Sequence, residues 1–146
     1  MADTSEASIT VAASRAEVLA VIADFENYPQ WAGSVRECTP LERFEDGTGK
    51  QVRFVVDAGI VKDTYVNEYD WHGDDGVSWR MTEGKMQKSQ EGSYTLEASG
   101  SGTLVTYKLT VELAVPMIGM FKRKAEKMVM DTALKDLKKR VESLSA

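Results

Sequence analysis

Apolar and polar residues alternate with period two over the middle of this chain, and two flanking segments switch to the 3.6-residue period of a helix. From Val35 to Val115 the alternation is interrupted by five clusters of turn residues: Glu45-Asp46-Gly47-Thr48-Gly49, Ala58-Gly59, His72-Gly73-Asp74-Asp75-Gly76, Glu83-Gly84 and Ser99-Gly100-Ser101-Gly102. Five turns separate six strands, and Ser8 to Val11 reads as a short strand before them. The intervals between turns are too short for parallel crossovers, so neighbouring strands are predicted to pair antiparallel. The last strand has the cleanest pattern, with Val105, Tyr107, Leu109, Val111, Leu113 and Val115 on one face and Thr106, Lys108, Thr110 and Glu112 on the other. Core faces are also read at Val52, Phe54, Val56, at Val77, Trp79, Met81 and at Gly92, Tyr94, Leu96. One strand departs from the rule: its inward row Val61, Asp63, Tyr65, Asn67, Tyr69, Trp71 carries two polar side chains among aromatics.

Two helical segments flank this region. Ser14 and Glu17 have the spacing of a capping box, and Val18, Val21, Ile22 and Phe25 follow on one helical face. Asn27-Tyr28-Pro29 ends that helix, because a residue before proline is pushed out of the helical region; Trp31 to Ser34 form a turn or a second small helix. The segment from Met117 to about Leu144 is predicted to be a long helix, with a stripe at Met130, Ala133, Leu134, Leu137, Val141 and Leu144. Continued backwards, the stripe meets Glu126, Arg123 and Gly119, while a second apolar flank appears at Ile118, Phe121, Ala125, Met128 and Val129. The helix therefore bends, or its first half covers something other than a packed sheet.

The expected fold is α+β: a seven-stranded curved antiparallel sheet wrapped on a long C-terminal helix, with two short helices between strands 1 and 2, all in a single domain over residues 1–146. One helix covers the concave face of such a sheet without filling it. Side chains left over either pack on each other as a solid core or line a pocket, and the mixture of aromatic, Met and isolated polar residues is typical of a small-molecule site. The candidate ligand-binding residues are Tyr65, Asn67, Tyr69, Trp79, Met81, Tyr94, Phe121, Ala125 and Met128.

Composition narrows the setting. A chain of 146 residues with 42% hydrophobic and 28% charged residues supports one domain without covalent staples. The single cysteine, Cys38, has no partner for an internal disulfide, the N-terminus lacks a signal-peptide pattern, and no stretch has the length of a membrane span, so a cytoplasmic location is expected. The net charge of −5 disfavours nucleic acid. Its distribution is uneven: Lys122 to Arg140 holds eight basic and three acidic residues, so this segment carries +5 and the remainder −10. Such a helix suits a solvated face, or contact with an anionic membrane or an acidic partner through Lys122, Lys124 and Lys127.

Chemistry-bearing patterns are sparse. His72 is the only histidine, sits in a Gly/Asp turn and is far in sequence from Cys38, which argues against a His-based nucleophilic site. Metal-ligand spacing is absent, no metal or cofactor is expected, and the glycines do not form a phosphate loop. Asp63, with Tyr65 or Tyr69 as hydrogen-bond partner, is the candidate acid–base group if any reaction is catalysed. The competing reading places Asp63 at a strand end, in solvent and paired to a basic residue.

The succession of elements resembles the helix-grip fold of the START/Bet v 1-like superfamily (SRPBCC), and within it the bacterial polyketide cyclase/dehydrase and lipid-transport group. The resemblance covers nearly the whole chain and is carried by Tyr28-Pro29-Gln30-Trp31, Asp63-Thr64-Tyr65-Val66, Val77-Ser78-Trp79-Arg80, Gly92-Ser93-Tyr94-Thr95-Leu96, Val105-Thr106-Tyr107 and Leu134-Lys135-Asp136-Leu137. It implies an apolar cavity without fixing its ligand. The function expected first is carriage or sensing of a hydrophobic small molecule such as a lipid, quinone or polyketide, by a monomer or weak dimer. The alternatives are a polyketide cyclase or dehydratase, and a protein- or membrane-binding module using the basic helix.

Overall fold

The computed structural model describes residues 3–57, 62–114 and 119–145, without the side chains of 3, 119–123, 125 and 145. The Ala58-Gly59 turn, Val61, and Val115 to Ile118 lie outside the described residues. The chain forms β1 (Asp3–Val11), α1 (Arg15–Ala23), α2 (Tyr28–Trp31), β2 (Val35–Arg43), β3 (Gly49–Asp57), β4 (Lys62–Trp71), β5 (Gly76–Gly84), β6 (Gln87–Ser99), β7 (Gly102–Leu113) and α3 (Gly119–Ser145). The strands make one sheet in the order β1-β7-β6-β5-β4-β3-β2, antiparallel at every pairing. The α+β helix-grip architecture read from the sequence is thus the observed one.

Local sequence accounts for the elements. Ser14 accepts from the Glu17 amide and Glu17 accepts from the Ser14 amide, so α1 starts on a complete capping box. Strands β1 and β2 follow each other in sequence but lie at opposite edges, and α1 and α2 carry the chain between them. The first helix ends earlier than expected, at Ala23, so Pro29 is not what stops it. Pro29 opens α2 instead, where its missing amide is one the first helical turn does not use. The first strand is longer than expected because Asp3 to Val11 runs in register along β7, from Asp3 opposite Val111 to Val11 opposite Thr103. Pro40 sits on β2, an edge strand, where its lack of a donor costs no ladder bond on the open side.

The core lies between the concave face of the sheet and α3. Val105, Tyr107, Leu109 and Val111 of β7 are buried, as are Met130, Leu134, Leu137 and Val141 of α3. Each such burial contributes about 1.5–3 kcal/mol. Leu144, counted in the helical stripe from sequence, is 61% exposed, because the last turn of α3 passes beyond the buried face. The C-terminal half of α3 is also stitched to the corner after β1: Lys138 Nζ donates to the Thr10 carbonyl at 2.8 Å, and Glu142 accepts from the Ala12 amide at 2.9 Å.

Gly76 opens β5 at φ +140°, and a Cβ there would lie 1.9 Å from the Tyr94 carbonyl oxygen. Gly100 has φ +59° with open space around it. Gly76→Ala is therefore expected to destabilise by at least about 2 kcal/mol, and Gly100→Ala by about 1 kcal/mol, from backbone strain alone. Urea denaturation with unchanged m-values measures both, and equal losses would refute the clash at Gly76.

Candidate functional site

The concave face is paved with aromatic rings in a continuous arc. Tyr107 meets Tyr94 at 4.7 Å between centroids, Tyr94 meets Trp79 at 5.4 Å, Trp79 meets Tyr69 at 5.7 Å and Tyr69 meets Phe25 at 4.9 Å. Phe25 then touches Tyr28, which touches Trp31, so the arc climbs from the sheet onto α2. Strand alternation places the ring residues of β4 to β7 on one face, and their tilted contacts suit aromatic quadrupoles better than a flat sandwich. Gly92 makes room for the arc: a Cβ there would lie 2.3 Å from the Trp79 indole.

Between this arc and α3 is a cavity of about 180 Å³. All five tyrosines of the chain line it. The helix side is formed by Glu126, Val129, Ala133 and Asp136, and Trp31, Ala32, Ser34 and Val35 contribute the side toward α2 and β2. Asp136 accepts a hydrogen bond from the Gly33 amide at 2.9 Å, which ties α3 to the segment entering β2. The size exceeds the ~150 Å³ that admits a benzene-sized guest and falls below the ~300 Å³ at which ordinary ligand pockets begin.

A chain of polar side chains crosses the floor. Asp63 Oδ1 accepts from the backbone amides of Thr64 (2.8 Å), Lys85 (3.3 Å) and Met86 (3.0 Å), and Asp63 Oδ2 accepts from Gln87 Nε2 at 3.1 Å. Gln87 in turn accepts from Gln90 Nε2. Gln90 Oε1 accepts from the Trp79 indole at 2.9 Å and from Asn67 Nδ2 at 3.4 Å. Asp63 is thus buried and held by the β5–β6 hairpin. The expectation that it reaches solvent and pairs with a basic residue is corrected: four N–H donors satisfy it, three of them backbone.

The candidates read from sequence divide accordingly. Tyr65, Asn67, Tyr69, Trp79 and Tyr94 come together on the cavity wall. Asp63 is outside the lining, one hydrogen bond removed through Gln87. Met81 also lies outside it, and its sulfur turns toward Gly84, where a Cβ would be 2.6 Å away. Met128 is 47% exposed, because it sits about 200° round the helix from the buried Glu126 and Met130. The side chains of Phe121 and Ala125 fall outside the described residues. Of the basic positions on α3, Lys124, Lys127, Lys135 and Lys139 are exposed.

Sequence reasoning missed Gln87, Gln90, Tyr107 and Glu126 as lining residues. Gln90 was recoverable, since the Gly92, Tyr94, Leu96 row extended by one step reaches it. Gln87 was not, because a register shift between Gln87 and Ser89 turns both glutamines inward at odd spacing. Glu126 lies one helical repeat before Met130 and is buried, with Ser5 Oγ donating to it at 3.4 Å.

Burial pushes the tyrosine phenols up. Desolvation is the leading cause for all five, reinforced by neighbouring tyrosines at Tyr28, Tyr65, Tyr69 and Tyr94 and opposed by Gln90 at Tyr65 and by Asn67 at Tyr69. The folded state therefore holds its phenolic protons where the unfolded chain, with ordinary values near 10, releases them. This contribution to stability is fully present below pH ~10 and is lost as pH rises above it. An alkaline titration followed by tyrosinate absorbance is expected to show no ionisation near pH 10 while the protein is folded, and a single rise that coincides with unfolding. A separate step near pH 10 in the folded protein would contradict the assignment.

The comparisons with known proteins agree with this fold. The profile of the family described as polyketide cyclase / dehydrase and lipid transport matches residues 2–142. No curated protein matches the chain. Among solved structures, a START superfamily protein from Mycobacterium smegmatis superposes with a TM-score of 0.88 at 25% identity, over 97% of this chain and 98% of that one. A protein from Thermus thermophilus gives 0.82 at 24% identity, over 99% and 100%. The Zhui aromatase/cyclase of Streptomyces sp. R1128 gives 0.83 at 16% identity, over 100% and 97%, a likeness of fold. With its profile matched from β1 into the last turns of α3, the chain belongs to the polyketide cyclase/dehydrase and lipid-transport family.

Proposed function

We propose that this protein binds a compact hydrophobic molecule in the cavity between the sheet and α3, as a carrier or sensor. The observation that carries the reading is the incompletely filled concave face, an aromatic arc with a cavity of about 180 Å³ above it. Burying an apolar guest there removes surface from water at about 25 cal/mol per Å², on a wall that is already in place. The volume suits a ring system of one or two fused rings, or part of a longer chain. Family membership supports a hydrophobic ligand, and no helix among the described residues is long and apolar enough to cross a membrane.

A cyclase or dehydratase is the second reading, and likeness in fold to an aromatase/cyclase is what favours it. Its proposed acid–base group fits poorly. Asp63 is engaged by three N–H donors of the β5–β6 hairpin and by the Thr64 amide, and does not line the cavity, so no bound guest would meet it directly. The basic face of α3, with Lys124 and Lys127 exposed, leaves a surface-binding role compatible with the first reading rather than opposed to it.

Native mass spectrometry and solvent extraction of gently purified protein are expected to release a hydrophobic molecule. The purified chain is expected to bind the apolar fluorophore N-phenyl-1-naphthylamine. Ala133 is half-buried and lines the cavity on the helix side, so Ala133→Trp should fill it, weaken the fluorophore by at least about tenfold and leave Tm within a few degrees. A protein that yields no extract and binds no apolar probe would exclude the carrier reading.

A further inference from the structure

The amide chain on the cavity floor has only one self-consistent orientation, and this fixes what it offers a guest. Asp63 accepts from every partner it has, and the Trp79 indole can only donate. Gln87 must therefore point its NH₂ at Asp63 and its carbonyl at Gln90. Gln90 must point its NH₂ at Gln87, and its carbonyl then takes the Trp79 N–H. The same carbonyl takes Asn67 Nδ2, so Asn67 cannot turn its own oxygen that way without setting two acceptors against each other. The acceptor capacity of the chain is thus pushed to its free end. Asn67 is 2% exposed, lines the cavity, and its Oδ1 is buried without a hydrogen-bond partner among the described residues.

We propose that Asn67 is a specificity-determining residue, which selects guests carrying a hydroxyl or N–H donor over guests of the same shape that lack one. The inference rests on the cavity being the ligand site. A guest without a donor leaves the already buried Asn67 carbonyl unsatisfied. A guest with one completes the last valence of a chain anchored at the far end by Asp63. Ligand chemistry follows: a predominantly apolar ring system bearing a phenol, alcohol or N–H, rather than a plain hydrocarbon chain.

The test uses the full chain and two probes matched in shape, 2-naphthol and 2-methylnaphthalene, titrated into the original protein and into Asn67→Leu. Both probes are expected to bind the original protein. Asn67→Leu should weaken 2-naphthol about tenfold and change 2-methylnaphthalene by less than about twofold. Equal effects on the two probes, or an unchanged affinity for 2-naphthol, would overturn the assignment while leaving the carrier reading intact. Failure of both probes to bind the original protein would overturn the carrier reading and this one with it. Should Asn67→Leu not fold, the side-chain amide resonances of Asn67 in the original protein decide the matter. They are expected to shift with 2-naphthol and stay in place with 2-methylnaphthalene, and equal shifts or none would refute the proposal.

Discussion

One helix has to cover the concave face of a seven-stranded sheet, and most of the structure follows from that mismatch. Seven strands spaced about 4.8 Å apart span about 30 Å, whereas a helix with its side chains is about 10–12 Å across. Curvature narrows the gap but does not close it. The C-terminal half of α3 solves the problem by contact, through Met130, Leu134, Leu137 and Val141. Its first half, with Glu126 and Val129 facing inward, leaves space. Short helices α1 and α2 close one side of that space, and Tyr28 fixes its ring there by donating its hydroxyl to the Ile22 carbonyl.

Where residue spacing alone determines which way a side chain points, the sequence was readable. The unbroken row from Val105 to Leu113 marks β7 because a strand with one buried face has no other register available. The Ser14–Glu17 pair marks the start of α1 because both side chains are needed to satisfy backbone amides. The aromatic wall followed the same alternation, so Tyr65, Tyr69, Trp79 and Tyr94 were recognisable before the fold was known. Reading failed where backbone irregularity reset the alternation, as between Gln87 and Ser89, and where a burial rule was applied to single residues. By residue type Glu126 is unsuited to an interior, yet the interior here is a cavity margin shared with Ser5. Met128 is suited to one by type, yet helical phase turns it outward.

The polar chain on the floor has a structural meaning apart from any guest. Buried amides and a carboxylate stabilise little on balance against an apolar core of the same volume, but left half-satisfied they cost a great deal. Asp63 and Gln87 therefore couple the β5–β6 hairpin to the position of Trp79, and through its ring contacts to the rest of the arc. A hollow site needs such internal bracing. Aromatic side chains facing empty space have fewer neighbours to hold their rotamers, and here hydrogen bonds and the close fit at Gly92 supply part of what dense packing supplies elsewhere.

The edge strand β2 bears on whether another chain can add to the sheet. It carries Pro40, three register irregularities against β3, and the charged side chains of Arg36, Glu37, Glu42 and Arg43 along its length. A proline, kinked backbone and charge each make an unpaired strand a poor template for another chain. A less than fully filled interior lowers the resistance to transient opening, and opened sheet proteins aggregate chiefly by adding strands edge to edge. With β2 spoiled as a template, strand addition at that edge is disfavoured even where the interior is not densely packed.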